Sequence, residues 1–214
     1  MRHFGGFLAG LAGLAFLAGA GLASAAPSAR TAALPVATTT APVLDEARPP
    51  IGWIDFCRAG NDEDCANETR TPTTLQMTPS VWNELNRVNR AVNASVEQVE
   101  DTVLYGVQER WTYPHQSKGD CEDIALLKRR TLIRAGIPVQ SLLMTVVRDE
   151  TGSGHAILTV VTDRGDFILD SKTNRVLPWR ATGYGFVKRQ SQVNPTVWVK
   201  LGEPASPGLT VAGQ

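Results

Sequence analysis

The sequence has no excess of either charge and few reactive side chains. Its 214 residues include 21 basic and 21 acidic residues but only three cysteines and three histidines. No basic run is interleaved with aromatic residues, which argues against a general nucleic-acid-binding protein. We find no internal repeat. With 43% apolar residues, the composition instead predicts a globular domain with its own core.

The first 25 residues have the pattern of a secretory signal peptide. Arg2 and His3 precede a run of leucine, alanine, glycine and phenylalanine that ends in Ala23-Ser24-Ala25, a small-residue cleavage site. A retained membrane anchor is the alternative, because the apolar run is near spanning length. We expect a signal peptide at 1–25, a flexible Ala/Thr/Pro-rich linker at 26–50, one folded domain at 51–202 and a disordered tail at 203–214.

Export bears on the cysteines, because disulfides persist in an oxidising compartment. Cys57 and Cys65 flank a short polar loop, so the sequence predicts a disulfide between them. A metal site at this loop is the alternative, but it lacks C-x-x-C spacing and histidines. Cys121 is then left over, and an unpaired thiol in an exported protein is either a buried bystander or reactive.

The order of the predicted elements indicates an α+β domain. Apolar residues recur at helical spacing from Pro79 to Val92, with Thr78 or Ser80 as the cap, and a second helix is predicted after Ser95. A third, largely buried helix runs from Asp120 or Cys121 to Arg134 or Ala135. Strand patterns follow at 139–148, 155–162, 167–170, 183–189 and 196–201. Their short connections predict an antiparallel sheet.

Cys121 is a candidate nucleophile because it stands where a loop turns into the third helix. A helix N-terminus carries partial positive charge and free N–H groups, which favour a thiolate and a developing oxyanion. Of the histidines, His115 lies in a loop, whereas His155 opens a strand after a glycine-rich turn. In the following hairpin, Asp170 closes the strand beside His155, so imidazole and carboxylate are expected within reach of each other. Asp163 and Asp166 are the alternatives to Asp170.

Four motifs together resemble the bacterial transglutaminase-like cysteine proteinases: Trp111-Thr112-Tyr113-Pro114, Gly119-Asp120-Cys121-Glu122-Asp123, Gly154-His155-Ala156 and Asp166-Phe167-Ile168-Leu169-Asp170. The resemblance covers roughly residues 52–201. It implies a papain- and transglutaminase-like fold, with the nucleophile at the N-terminus of a central helix packed on an antiparallel sheet. It also implies a triad of Cys121 as nucleophile, His155 as general base and acid, and Asp170 as orienting residue. Gln116, five residues before Cys121, is a candidate oxyanion donor by analogy with the glutamine of papain-like enzymes, and the alternative is an ordinary loop amide.

Relatives in this family are periplasmic proteases that clip surface adhesins under the control of an inner-membrane receptor. The resemblance therefore implies a periplasmic enzyme with a protein substrate and such a receptor as partner. It implies no cofactor for the chemistry but a calcium ion bound by Asp120 and Glu122. Carboxylates beside Cys121 would raise the pKa of its thiol, and a hard cation would cancel this effect. The alternative is that Asp120 and Asp123 only cap the helix while Glu122 is solvated or pairs with Lys118 or Arg129.

The sequence thus predicts an exported cysteine peptidase that cleaves an exported or surface protein. One alternative keeps the triad but transfers the acyl group to an amine, as transglutaminases do, or cleaves the peptide bonds of peptidoglycan. The other, from a different class, is a catalytically silent periplasmic binding domain.

Overall fold

The computed structural model describes residues 33–66 and 68–202. The predicted signal peptide and C-terminal tail lie outside these ranges. No helix within them is long and apolar enough to cross a membrane.

The longest helix near the start of the domain begins where the sequence predicts. Thr78 caps it, because its Oγ1 accepts a hydrogen bond of 3.2 Å from the Val81 N–H, and Pro79 occupies the first helical position, where its missing N–H costs nothing. Five helices and two 3-10 turns are described in all: α1 Ile51–Arg58, α2 Asp62–Cys65, α3 Pro79–Ser95, α4 Asp101–Leu104, α5 Cys121–Arg134, and the turns Val139–Ser141 and Trp179–Ala181.

The prediction of a second helix capped by Ser95 is wrong. Ser95 is the last residue of α3, and its Oγ donates to the Val92 carbonyl at 3.0 Å, so its hydroxyl serves the end of a helix. The chain then forms a short parallel pair of strands, β2 Glu97–Gln98 and β3 Lys118–Gly119. Only the single turn of α4 is helical between them, and its Val103 is 75% exposed.

The antiparallel sheet is confirmed, and it is larger than predicted. Its strands follow the order β1-β9-β8-β4-β5-β6-β7, and every neighbouring pair is antiparallel. Their bounds are β1 Val43–Ala47, β4 Leu142–Arg148, β5 Gly154–Thr162, β6 Gly165–Asp170, β7 Thr173–Pro178, β8 Gly185–Gln190 and β9 Trp198–Leu201.

Strand β1 corrects the expected start of the folded domain. It lies inside the segment 26–50, which the sequence predicts to be a flexible linker, yet it pairs with β9 at the sheet edge. Residues before it also bind the fold, since the Ala41 N–H donates to the buried Asp166 carboxylate at 2.9 Å. The proline and alanine content of this segment is typical of a linker. The strand forms nevertheless because it pairs with β9, which is distant in sequence, and strand formation depends strongly on such partners.

The core lies between the helices and one face of the sheet. Helix α5 packs against β4, β5 and β6, and α3 packs against α5 and β7. A smaller apolar cluster covers the opposite face, around Trp179 and Phe186. Strand β5 is therefore buried on both faces, and His155 at its start sits at the boundary between core and solvent. Helices followed by an antiparallel sheet confirm the α+β class.

The predicted disulfide is present, with Cys57 at the end of α1 and Cys65 at the end of α2 joined at an S–S distance of 2.07 Å. Cys121 is the free cysteine among the described residues.

Candidate active site

Cys121 is the first residue of α5, as the sequence predicts. The loop before Cys121 packs closely against the first turn of α5. A Cβ on Gly119 would lie 2.7 Å from Asp123 Oδ2 and 2.8 Å from Asp123 Cβ. The loop can therefore approach the first turn of α5 only with glycine at 119. Asp120 occupies the N-cap position of α5, but its side chain makes no capping hydrogen bond, so the alternative in which it only caps the helix gains no support. Asp123 instead accepts the Thr112 N–H at 2.9 Å and so ties the preceding loop to the helix.

The sulfur of Cys121 has two hydrogen-bond partners of opposite effect. The Ala156 N–H donates to Sγ at 3.4 Å, which favours a thiolate, whereas the thiol donates to Glu122 Oε2 at 3.1 Å. Burial, reinforced by the Glu122 carboxylate, raises the pKa of the Cys121 thiol well above its ordinary value. Burial and the neighbouring carboxyl group therefore hold the cysteine as a thiol.

His155 and Asp170 form a buried hydrogen-bonded pair. His155 Nε2 and Asp170 Oδ1 are 2.8 Å apart, on the second residue of β5 and the last residue of β6. The alternatives Asp163 and Asp166 lie elsewhere: Asp163 accepts the Met77 N–H at 2.8 Å, and Asp166 pairs with Arg189 at 2.8 Å. The structure thus brings Asp170, and neither alternative, to His155.

Tyr184 contacts both members of the His155–Asp170 pair. Its hydroxyl donates to Asp170 Oδ2 at 2.6 Å, and its ring packs edge-on against the His155 ring with 5.8 Å between centroids. Burial acts to raise the pKa of Asp170, but the hydrogen bonds from His155 and Tyr184 outweigh it and lower that pKa. Asp170 is therefore a carboxylate at neutral pH, and with both oxygens bonded it holds a fixed orientation.

Cys121 and His155 together border two cavities. The narrower one, about 220 Å³, is walled by Trp111, Val146 and Ala156, and the wider one, about 530 Å³, is polar. Five residues line both cavities and so mark the point where they meet: Glu109, Cys121, Glu122, Gly154 and His155. An extended chain that crosses this point would pass directly over the sulfur and the imidazole.

The structure does not bring Gln116 to this cleft. Gln116 is an exposed turn residue with φ of 50° and lines neither cavity. The turn exists because the N–H and carbonyl of His115 pair with those of Lys118, which directs the intervening residues to solvent. Two amide side chains line the wider cavity, those of Gln98 and Gln108, and the pairing of β2 with β3 places Gln98 opposite Gly119.

Three carboxylates converge beside Cys121. One oxygen from each of Asp101, Asp120 and Glu122 lies within 4.8 Å of the others. Burial raises the pKa of Glu122 to about 9, with the Asp120 carboxylate adding to the effect, and burial raises the pKa of Asp120 to about 6. Buried oxygens Oδ1 of Asp101 and of Asp120 have no hydrogen-bond partner. Unsatisfied, closely spaced carboxylate oxygens are the donor set that a hard divalent cation prefers.

The alternative in which Glu122 is solvated or pairs with Lys118 or Arg129 is not found. Glu122 is buried, Lys118 lies 3.7 Å from Glu97, and Arg129 pairs with Asp64 at 2.7 Å. Sequence reasoning also missed Asp101 and Tyr184. Asp101 lies 20 residues before Cys121 and Tyr184 lies 14 residues after Asp170, and neither belongs to a motif that signals its place beside Glu122 or Asp170.

A thiol at the start of a buried helix, facing a His–Asp pair on an antiparallel sheet, is the arrangement of papain- and transglutaminase-like thiol enzymes. Residues 43–206 match the family model described as bacterial transglutaminase-like cysteine proteinase. The chain therefore belongs to this family of cysteine peptidases.

The chain is also similar to solved structures of LapG from Legionella pneumophila. The calcium-bound form is 24% identical, with 58% of this chain and 73% of that chain covered and a TM-score of 0.49. The EGTA-treated form is 25% identical, with 59% and 69% covered and a TM-score of 0.48. A further LapG structure is 26% identical, with 57% and 70% covered and a TM-score of 0.49. Among curated proteins, none matches the sequence.

Proposed function

We propose that this cysteine peptidase uses Cys121, His155 and Asp170 as its triad and acts on a protein substrate outside the cytoplasm. The observation that carries the triad is the bond between His155 Nε2 and Asp170 Oδ1 beside the cleft that Cys121 borders. Because Asp170 occupies Nε2, the other ring nitrogen, Nδ1, is the one available to the thiol. Asp170 thereby fixes the tautomer and supports the imidazolium.

The reaction follows from these positions. His155 Nδ1 takes the thiol proton as Cys121 Sγ attacks the scissile carbonyl, and the oxyanion meets the Cys121 N–H at the start of α5, where helix N–H groups lack intrahelical partners. His155 then gives its proton to the leaving amine, which leaves a thioester on Cys121. Attack of a water molecule, with His155 again as base, hydrolyses the thioester and restores the thiol.

A test of the triad compares turnover of a candidate exported protein by wild type, Cys121→Ala, His155→Ala and Asp170→Asn. We expect no cleavage by the first two variants and a loss on the order of 10⁴-fold for the third, because it holds the wrong tautomer. His115→Ala is the matched control and retains wild-type turnover. Labelling of Cys121 by a thiol reagent without cleavage of any peptide would favour acyl transfer or a binding role. Cleavage by Cys121→Ala would overturn the triad.

We also propose that Asp101, Asp120 and Glu122 hold a calcium ion. The ion would supply positive charge beside Cys121, which relieves the carboxylate field that holds the cysteine as a thiol. The carboxylate oxygens without hydrogen-bond partners support this site. Asp101 adds a third ligand to the pair predicted from the sequence.

Calcium binding is measurable apart from activity. We expect calcium at 100 times its Kd to stabilise the wild-type protein by about 2.7 kcal/mol, seen as a rise in melting temperature over the EGTA-treated protein. Asp101→Asn and Asp120→Asn should lose most of this rise, whereas the exposed Asp55→Asn control should keep it. An equal rise in all four proteins would show that the three carboxylates do not bind the metal.

The export and substrate assignments rest on the signal-peptide pattern and on the family resemblance. We propose a periplasmic location and, as substrate, a surface adhesin, with an inner-membrane receptor as regulator. Co-expression with candidate adhesins, followed by analysis of the released fragments, tests the substrate. Retention of the adhesin in the presence of the active enzyme would contradict it.

A further inference from the structure

Lys128 is a buried cation that the reaction described above does not use. It lies seven residues after Cys121 on α5, two helical turns further along the same stripe. Its side chain is fully buried, and within the described residues Nζ has no hydrogen-bond partner. A buried unpaired ammonium destabilises a fold by several kcal/mol, so packing alone does not account for it.

The neighbouring cation shows the contrast. Arg129 is also buried, but it is satisfied by Asp64 at 2.7 Å and by the Leu142 carbonyl at 3.0 Å. Lys128 has no such partners, and the charged group that acts on it is Asp170, at the end of a strand against which α5 packs. Burial lowers the pKa of Lys128 to about 7, and the Asp170 carboxylate opposes this shift.

The turn after Asp170 is held from the same side by α3. Asn93 Nδ2 donates to the Asp170 carbonyl at 3.0 Å, and Asn89 Nδ2 donates to the Thr173 carbonyl at 2.9 Å. These contacts are neutral and restrain the backbone of the turn. Lys128, by contrast, is a cation within α5 on which the Asp170 carboxylate acts electrostatically.

We propose that Lys128 is a positioning residue for the reaction: its buried charge, two turns below the nucleophile, balances the Asp170 carboxylate that orients His155. The proposal rests on the triad assigned above. It assigns to α5 a second task besides presenting Cys121, since the same helix face carries the nucleophile at its start and the counter-charge of the orienting carboxylate in its interior.

Lys128→Met tests the proposal, because methionine has a similar length and suits a buried site. We expect a melting temperature equal to or above that of wild type, a kcat about tenfold lower and an unchanged KM. The loss of kcat should be largest below pH 7 and shrink above it, where wild-type Lys128 loses its charge. Lys200→Met, at an exposed position on β9, is the matched control and should keep the wild-type kcat and pH profile.

A second measurement is independent of turnover. In the Cys121→Ala background, the ring of His155 can be titrated by NMR, because the chain has only three histidines. Removal of the nearby positive charge by Lys128→Met or Lys128→Gln should move the midpoint about one pH unit higher. Unchanged midpoints in both variants, or a lower melting temperature with an unchanged pH profile, would reduce Lys128 to a packing residue. Failure of the triad assignment would show separately, as activity that persists in Cys121→Ala. The titration of His155 does not measure activity, so it tests the role of Lys128 independently of that result.

Discussion

Cys121 illustrates how single residues decide the chemistry of this protein. The start of α5 favours a thiolate through its partial positive charge, but Glu122 and the buried position of the sulfur act against it and raise the pKa of the thiol. The position of the residue is thus suited to a nucleophile, whereas its protonation state depends on its neighbours. In the proposed mechanism, His155 and a calcium ion at the acidic cluster supply the activation.

Tyr184 offers a further test at the residue scale. Tyr184→Phe removes the 2.6 Å hydrogen bond to Asp170, and hydrogen bonds to charged groups are strong. We expect kcat to fall about tenfold with little change in KM, and the free energy of unfolding to fall by about 1 kcal/mol. Steady-state kinetics and urea denaturation measure the two effects.

A matched control for this substitution is Tyr113→Phe. The Tyr113 hydroxyl also donates to a carboxylate at 2.6 Å, that of Asp64, which lines neither cavity at Cys121. This variant should lose stability but keep its kcat. Equal losses of kcat in both variants would show that Tyr184 acts only through the stability of the fold.

At the scale of elements, the disulfide loop and α5 form one unit. Asp64, beside Cys65, accepts hydrogen bonds from Arg129 at 2.7 Å and from Arg130 at 2.8 Å. Arg130 also stacks on the Tyr113 ring, 3.7 Å from its centroid. The loop is thus an anchor for the helix that begins with Cys121. The disulfide, which closes a short loop, stabilises the fold by about 2.5 kcal/mol on the loop-entropy model.

Removal of Asp64 tests the strength of this anchor. Asp64→Ala leaves Arg129 buried without its partner, and breaking one side of a buried ion pair costs about 3–5 kcal/mol. We expect a loss of unfolding free energy of this size in chemical denaturation. Asp55→Ala breaks an exposed pair with Arg58 and should change stability by less than about 1 kcal/mol. Similar values for both variants would contradict a buried anchor.

At the scale of the whole molecule, the start of the fold lies before the predicted boundary at Ile51. Residues 38–41 bind the β5–β6 hairpin and β6 through backbone hydrogen bonds, and β1 covers the edge of β9. Trp179 Nε1 also donates to the Thr39 carbonyl at 2.8 Å. The segment therefore covers one edge of the sheet and part of its second apolar face.

Two truncated proteins test this boundary. A chain that starts at Leu34 should unfold at the same denaturant concentration as one that starts at Pro27. A chain that starts at Ile51 should be less stable by several kcal/mol, because it exposes the edge of β9 and leaves Asp166 without its Ala41 partner. Guanidinium denaturation followed by tryptophan fluorescence measures the difference. Equal midpoints for all three proteins would restore the boundary at residue 51.

The sequence alone was sufficient for features that depend on neighbours along the chain. The periodicity of α3 and α5, the proline and threonine at the start of α3, the short turns between β4, β5 and β6, and the close spacing of Cys57 and Cys65 are all local signals. Even the meeting of His155 with Asp170 follows from one tight hairpin. A local signal determines a local structure because the same few residues make the interactions that stabilise it.

Only the tertiary structure decided the features that join distant segments. Asp101 reaches Asp120 and Glu122 because β2 pairs with β3, Tyr184 reaches Asp170 across the sheet, and β1 finds β9 from the other end of the domain. Gln116 does not lie near Cys121, because the number of residues between two positions does not determine which way a turn directs a side chain. The burial of Lys128 likewise follows from the contacts that the whole fold makes, because α3, β4, β5 and β6 all pack against α5.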